Sequence, residues 1–384
     1  MKIAIVQNVP ITDHRVVHTD GVARILVCKG HEVDVIIQKS NDKSQFEGPN
    51  YNVIELEGGT YSLNGQLRFT FELFKYLIMK NYDVIHAKNP FSSIIAPILI
   101  RVVGKKFTLL YDLRGLWVDF MEEVGENKMT WIPILKKIDI ICMNLCDGII
   151  AISDELARIL IARGANPKKL RVIEGDGVET KKIRDLTPID LTESLKLKPP
   201  IVGYIGSISM VRSSHKIIEA FRYVIEEVPD AYLVMIGPIY GEDKIRKFIE
   251  EMKLTEKVLL LGYLETHDMV LRYCKSFDAV LAYHDINLPT FNVMVPTKIL
   301  EYLACGRPIV ATDHKAHTNI LKHGFNAVLT KQDSQSYAEG IIVVLKDNQL
   351  ATRISNKALQ CAEKFDFNII VGQILDSYYH ALRT

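Results

Sequence analysis

The 384-residue sequence predicts an α/β protein of two domains in series, each a parallel sheet with crossover helices. Three observations predict it. Short β-branched runs alternate with amphipathic stretches of helical length from the first residue to about residue 345. The chain is too long for one ordinary core. The alternation breaks once, between Lys181 and Pro200.

In the first half the strands are read as KIAIVQ, HEVDVII, NVIEL, DVIHA, FTLLYDL, GIIAI and LRVIEG. Helices are expected between them, among them Asp13 to Lys29 and Leu63 to Lys80, with Asp13 as an N-cap and Gly30 as a stop. Ser153-Asp154-Glu155, directly after GIIAI, reads as an N-cap followed by a first-turn acidic pair.

The segment Lys181 to Pro200 is charged and threonine-rich and ends in Lys198-Pro199-Pro200, just before the apolar IVGYIG. This sets the domains at residues 1–185 and 198–365. The second repeats the pattern with IVGYIG, AYLVMIG, KVLLLG, DAVLAY, RPIVAT and NAVLT. Beyond Asp333 only helical stretches follow, and the last, within residues 366–384, has no strand of its own to cover. It is expected to cross back onto the first domain. Two such units in series would face each other across a cleft, with ligands at the carboxyl ends of the strands.

Lysine and arginine total 47 against 46 acidic residues, so a net charge of +1 gives no field for binding nucleic acid. The six cysteines form no CxxC pair and mostly lie in apolar runs, which reads as buried thiols in a reducing cytoplasm. The opening MKIAIVQ is too short for a leader core. The longest apolar stretch, Trp131 to Ile150, is interrupted by Lys136, Lys137, Asp139, Asn144 and Asp147. A cytoplasmic protein, at most peripheral at the inner membrane face, is expected.

The most informative segment is PTKILEYLACGRPIV, residues 296–310. It reads as a short helix opened by Pro296-Thr297 and ended by Gly306, with a buried strand behind it. The helix N-terminus favours a phosphate, Lys298 adds positive charge, and Glu301 one turn later offers acceptors for vicinal hydroxyls. A nucleotide diphosphate presents that pairing; a solvated Lys298–Glu301 pair is the structural alternative. The second segment, IVGYIGSISMVR, ends its strand in Gly206-Ser207, where backbone can approach a ligand closely. Arg212 and Lys216 could grip a diphosphate there. Gly237 and Gly262 close two further strands and could shape the base pocket. Neither GxGxxG nor GxxxxGK[ST] occurs, which argues against a dinucleotide oxidoreductase and a P-loop nucleotidase. In the first half the polar strand-end residues are His86, Asp112, Arg114, Glu174 and Asp176. The basic aromatic stretches Leu67 to Lys80 and Met129 to Lys137 could graze a membrane or simply face a core.

These segments, with DHRVVHTDGVARILVCKGHEVDVI, DVIHAKN, YDLRGLW, AISDELARIL and KLRVIEGDGVE in that order, make the chain resemble the family-4 retaining glycosyltransferases of GT-B fold over nearly its whole length. The resemblance implies a nucleotide-sugar donor in the second domain, with Glu301 on the ribose and Arg212 on the diphosphate. Lys216, Thr297 and Lys298 would lie near the phosphates, with Gly206, Ser207 and Gly237 framing the pocket. His86 and Arg114 would take acceptor-side or leaving-group roles. It further implies retention of configuration, no cofactor, no bound metal, and a glycan or lipid-linked acceptor. Val293 stands where many relatives carry a glutamate eight positions before the ribose ligand, and the chain follows a P-x-K-x-x-E-Y variant instead. Arg114 stands where many relatives have His, and Asp176 replaces a common Asn. A sugar-phosphate phosphorylase or epimerase, or an inactive nucleotide-sugar-binding partner, are the other readings.

Overall fold

The computed structural model describes residues 1–11, 13, 15–40, 50–59, 62–89, 91–124, 132–284 and 289–383. The chain forms two compact units, one of Met1–Gly177, Val293–Val295 and Asp366–Thr384, the other of Val178–Asn292 and Pro296–Phe365.

The first unit is built on seven parallel strands, β1 (Lys2–Pro10), β2 (Glu32–Gln38), β3 (Asn52–Leu56), β4 (Val84–Lys88), β5 (Thr108–Leu113), β6 (Gly148–Ala151) and β7 (Leu170–Val172), in the order β3-β2-β1-β4-β5-β6-β7. Each predicted strand is present. Helices on both faces bury the central strands, which is why these runs are apolar on both sides rather than alternating. The order reverses direction between β1 and β4, the switch point beyond whose strand ends sheets of this kind place their ligands.

The second unit repeats the design with β8 (Ile201–Ile205), β9 (Tyr232–Ile236), β10 (Val258–Gly262), β11 (Ala279–Ala282), β12 (Ile309–Thr312) and β13 (Val328–Thr330), in the order β10-β9-β8-β11-β12-β13. Its reversal point lies between β8 and β11. This is the GT-B architecture of two parallel-sheet α/β units.

The last helix, Phe367–Arg383, belongs to the first unit, as its lack of a strand predicts. Phe367, Ile370, Val371, Ile374 and Tyr378 are buried with Ile3, Ile5, Val22, Leu26 and Leu110. The phenyl ring of Phe367 fills space that only glycine leaves: a Cβ on Gly21 would stand 2.1 Å from its Cζ, and one on Gly177 2.2 Å from its Cδ1.

The boundary expected between residues 185 and 198 instead falls at Gly177/Val178. The intervening charged segment is tied to the second unit by backbone capture. Lys275 Nζ donates to the carbonyls of Ile183, Arg184 and Leu186 at 2.9, 2.7 and 2.5 Å, and Ser276 Oγ both accepts from and donates to Ile189. Two smaller expectations also change. The first helix runs Val16–Cys28 with Arg15 at the cap position, and Asp13 instead accepts the Arg15 N–H and pairs with its guanidinium. Cys28 is exposed and Cys361 half-buried, although the other four thiols are buried as read. Ser153 does cap its helix, accepting from Leu156 N, while its hydroxyl donates to the Val293 carbonyl.

Candidate functional site

The segment 296–310 folds as the sequence dictates. The helix Thr297–Cys305 starts after Pro296, has no side-chain cap at its N-terminus, and stops at Gly306, which takes φ +64°. Tyr302 fastens it to the sheet: its buried hydroxyl accepts the Ile205 N–H at 2.9 Å and donates to Leu281 O at 3.2 Å, one on each side of the reversal between β8 and β11. The first turn is thereby held over the end of β8.

That end is Gly206, at φ +141°. A Cβ there would meet Lys298 Nζ at 3.5 Å, so the ammonium lies against bare backbone. Gly237 at φ +136° sits so close to the neighbouring strand end that a Cβ would come within 2.2 Å of Gly206 O. Gly206 N donates to Ile236 O and Gly237 N to Gly262 O, carrying the sheet's pairing out to its edge. The Tyr204 hydroxyl donates to Ser207 O and holds the next turn.

Two cations gather here. Lys298 Nζ lies 4.4 Å from the Tyr204 ring centroid, and the Arg212 guanidinium 5.0 Å from that of Phe291. Burial, with Arg212 adding repulsion, pulls the Lys298 ammonium down to about 7. Such an amine is stabilised strongly by an arriving anion. Glu301, 7% exposed, is buried polar, and its partner is His267, whose Nε2 lies 3.0 Å from Oε1. The Lys298–Glu301 pair that was the structural alternative therefore does not form; each meets a different partner. Lys216 is also differently placed, since its ammonium pairs with Glu219 at 3.0 Å and the same carboxylate accepts from Ser334. Thr297 occupies the first helical position, half-buried.

In the first unit a separate polar cluster lies at the ends of β4 and β5. Arg114 donates through Nε and Nη2 to Asp112 Oδ2 at 3.0 and 2.8 Å and through Nη1 to Gly175 O at 3.0 Å. Burial pushes the Asp112 carboxyl up, but Arg114, His86 and Lys88 outweigh it and hold it below its ordinary value. His86 does not reach a surface. It is 1% exposed, with Nε2 3.0 Å from Asp112 Oδ2 and Nδ1 2.8 Å from the Tyr378 hydroxyl. Both ring nitrogens are occupied, one of them by Tyr378 of the C-terminal helix. Glu174 and Asp176 are half-buried, and Asp176 joins this cluster with its Oδ1 3.4 Å from Arg114 Nη1.

Sequence reasoning missed Lys88 and His267. Lys88 is 3% exposed, donates to Thr19 Oγ1 at 2.9 Å, and is brought down to about 8 by burial and Arg114. It closes β4, so the strand-end rule that selected His86 would have found it. Nothing local marks His267, which reaches Glu301 from another helix.

Residues 16–180 match the family described as Glycosyltransferase Family 4, and residues 190–360 that described as Glycosyl transferases group 1. The chain is 25% identical over 332 residues to the UDP-Gal:alpha-D-GlcNAc-diphosphoundecaprenol alpha-1,3-galactosyltransferase of Escherichia coli, covering 83% of this chain and 80% of that one. It is 22% identical over 365 residues to the N-acetyl-alpha-D-glucosaminyl L-malate synthase of Bacillus anthracis, covering 92% and 91%. Among solved structures it is similar to Anabaena HepE in complex with UDP and glucose, with a TM-score of 0.79 at 19% identity over 99% of both chains.

Proposed function

We propose, from the premise that this chain is a family-4-like glycosyltransferase of GT-B fold, that it moves a glycosyl unit from a nucleotide diphosphate sugar to a hydroxyl acceptor with retention of configuration. The observation that carries the donor assignment is the grouping at the end of β8. Lys298 stands beside Gly206, Arg212 is near enough to repel its ammonium, and Glu301 follows one helical turn from Lys298.

In this reading the helix N-terminus, Lys298 and Arg212 hold the diphosphate. Glu301 accepts from the ribose hydroxyls with the lone pairs that His267 leaves open. Gly206, Ser207 and Gly237 let backbone come close to the ligand. As the bond from the anomeric carbon to the diphosphate oxygen breaks, negative charge grows on that oxygen, and the two cations stabilise it more than the ground state. The acceptor oxygen bonds to the anomeric carbon on the same face and its proton passes to the departing phosphate. These cations supply the charge, so no metal is required; turnover unchanged by EDTA is expected. Arg114 remains the acceptor-side candidate of the first unit. Lys216, paired with Glu219, contributes only if that pair opens.

The E. coli relative's name specifies a diphosphoundecaprenol-linked substrate and the Anabaena structure holds UDP, which favours a UDP-sugar donor and a lipid-linked or surface-polysaccharide acceptor. No helix among the described residues is long and apolar enough to cross a membrane. Leu67 and Phe71, 55 and 61% exposed along one helix, and Met79, 83% exposed at its C-cap, lie near Arg68 and Lys75 in sequence and support peripheral contact at the inner face of the cell membrane. The second stretch considered, residues 129–137, begins outside the described residues.

The test is thermal stabilisation by UDP, GDP, ADP and their sugar conjugates, repeated with Glu301→Ala. One nucleotide should raise the melting temperature and the variant should lose the shift. No shift with any of them would overturn the donor assignment. Sugar turnover without an acceptor would favour a sugar-phosphate enzyme, and binding with neither transfer nor hydrolysis an inactive partner.

A further inference from the structure

Three histidines meet at the carboxyl ends of β11 and β12, in a part of the second unit that the reading above leaves without a role. His284 Nδ1 lies 2.6 Å from His317 Nε2, and His317 Nδ1 lies 2.8 Å from the carbonyl oxygen of Thr312. The His284 backbone N–H donates to Thr312 Oγ1 at 3.2 Å. His317 is fully buried and His284 half-buried. Their contacts form a hydrogen-bonded chain that runs from His284 through His317 to the Thr312 carbonyl.

The direction of that chain follows from bonding rules. A carbonyl oxygen only accepts, so His317 Nδ1 carries the hydrogen. A neutral imidazole has one N–H, which leaves His317 Nε2 a bare acceptor. The hydrogen in the 2.6 Å contact then sits on His284 Nδ1. His284 Nε2 is left with an unshared pair, and no described residue donates to it. Both rings stay neutral. Burial, with His317, Lys298, His314 and Arg212 adding repulsion, holds His284 well below its ordinary value; burial, with Lys298 and His314 against the Thr312 carbonyl, brings His317 to about 3. His314 accepts the Ala316 N–H through Nδ1 and lies 5.7 Å from His284, ring to ring.

The position of His284 gives this acceptor a meaning. β11 is the strand across the reversal from β8, so His284 and Gly206 follow adjacent strand ends. The Phe291 ring meets both His284 and Arg212: its centroid is 5.3 Å from that of His284 and 5.0 Å from the Arg212 guanidinium. A phosphate oxygen has no hydrogen to give a lone pair, and the two cations already claim it. A hydroxyl has one.

We infer that His284 Nε2 is a fixed acceptor for a hydroxyl of the glycosyl unit carried by the donor, with His317 the positioning residue that sets its tautomer. The inference rests on the donor site proposed above. It assigns sugar recognition to an imidazole held from behind by His317, which the Thr312 carbonyl fixes in turn.

The test is titration calorimetry of wild type, His284→Phe, His317→Leu and His317→Gln with UDP, with UDP-glucose, UDP-galactose and UDP-N-acetylglucosamine, and with deoxyfluoro analogues of the sugar nucleotide that binds. Fluorine cannot donate. His284→Phe should bind UDP as wild type does but lose about 3- to 10-fold of the affinity that the sugar adds. One deoxyfluoro analogue should weaken wild type by a like factor and make no difference to His284→Phe. His317→Leu should behave as His284→Phe, while His317→Gln, which retains an acceptor facing Nδ1, should restore the sugar's contribution. A wild-type sugar contribution in His284→Phe, or equal losses for UDP and its sugar conjugates, would overturn the inference. Absence of UDP, GDP and ADP binding by the wild-type protein would instead overturn the donor site itself, and is seen before any variant is made.

Discussion

The Nε2 atom of His267 stands 3.0 Å from Oε1 of Glu301, joining two helices through the carboxylate proposed to bind the ribose. Thr266 makes this possible by capping the helix His267–Ser276, its hydroxyl accepting the Met269 N–H. Burial lowers the imidazole's affinity for a proton, but Glu301, by charge and by hydrogen bond, together with Asp268 raises it above the ordinary value of 6.5. A raised folded value means the pair stabilises fully below about pH 6.5, and that contribution fades as pH rises through the folded value. His267 is 42% exposed, so the effect is that of a screened pair. His267→Ala should lower the melting temperature by about 1–3 °C in acid solution and by less in alkaline solution. A deficit that does not change with pH would remove the charged pair.

Lys298 leads to a prediction about protons. With the free ammonium brought down to about 7, an arriving diphosphate raises it again. Affinity for UDP should be level below that value and fall as pH climbs above it, and binding near pH 8 should take up close to one proton. Calorimetry in buffers of different ionisation enthalpy measures this uptake. Lys298→Met should bind more weakly and take up none. Equal uptake in both proteins would assign the proton elsewhere.

What the sequence yielded was whatever is decided locally. DVIHA and DAVLAY were readable as strands because a parallel strand buried on both faces must be continuously apolar, and the helix at 297 because Pro opens and Gly306 closes it. Partner choice was not readable. Glu301 looks three residues back to Lys298 in sequence, yet bonds His267 from a different helix. Lys216 looks free until Glu219, itself braced by Ser334 from 115 residues away, is placed beside it. His86 resembles any strand-end histidine, and only a tyrosine 292 residues later seals it. Such pairings depend on strand order, which no single element encodes. The acceptor character of His284 needed the whole chain of bonds to Thr312.

The seat of Phe367 predicts a steric cost. Alanine at Gly177 places a methyl 2.2 Å from its ring, and the ring is packed between Gly177 and Gly21 with little room to retreat. Gly177→Ala should cost about 1–3 kcal/mol in urea unfolding. Phe367→Leu should itself destabilise by loss of packing. If the clash is the cause, adding Gly177→Ala to Phe367→Leu should cost much less than adding it to wild type. Additive losses would place the strain elsewhere, such as in the Gly177 N–H bond to His18 Nδ1.

The bond between His86 and Tyr378 decides whether His86 is structural or chemical. A carboxylate only accepts, so Nε2 gives its hydrogen to Asp112, and Nδ1 then accepts from the Tyr378 hydroxyl. Burial lowers the ring's proton affinity more than Asp112 restores it, which agrees with a neutral imidazole. Tyr378→Phe leaves Nδ1 buried without a donor and should cost about 1–3 kcal/mol. In a His86→Leu background the same change should cost much less, because no acceptor remains to be orphaned. His86→Leu should lower the melting temperature while kcat/KM per folded molecule stays within about 10-fold, the range left to a displaced Arg114 rather than a lost reacting group. A far larger fall in kcat with stability intact would return His86 to the chemistry and require the C-terminal helix to move off it during turnover.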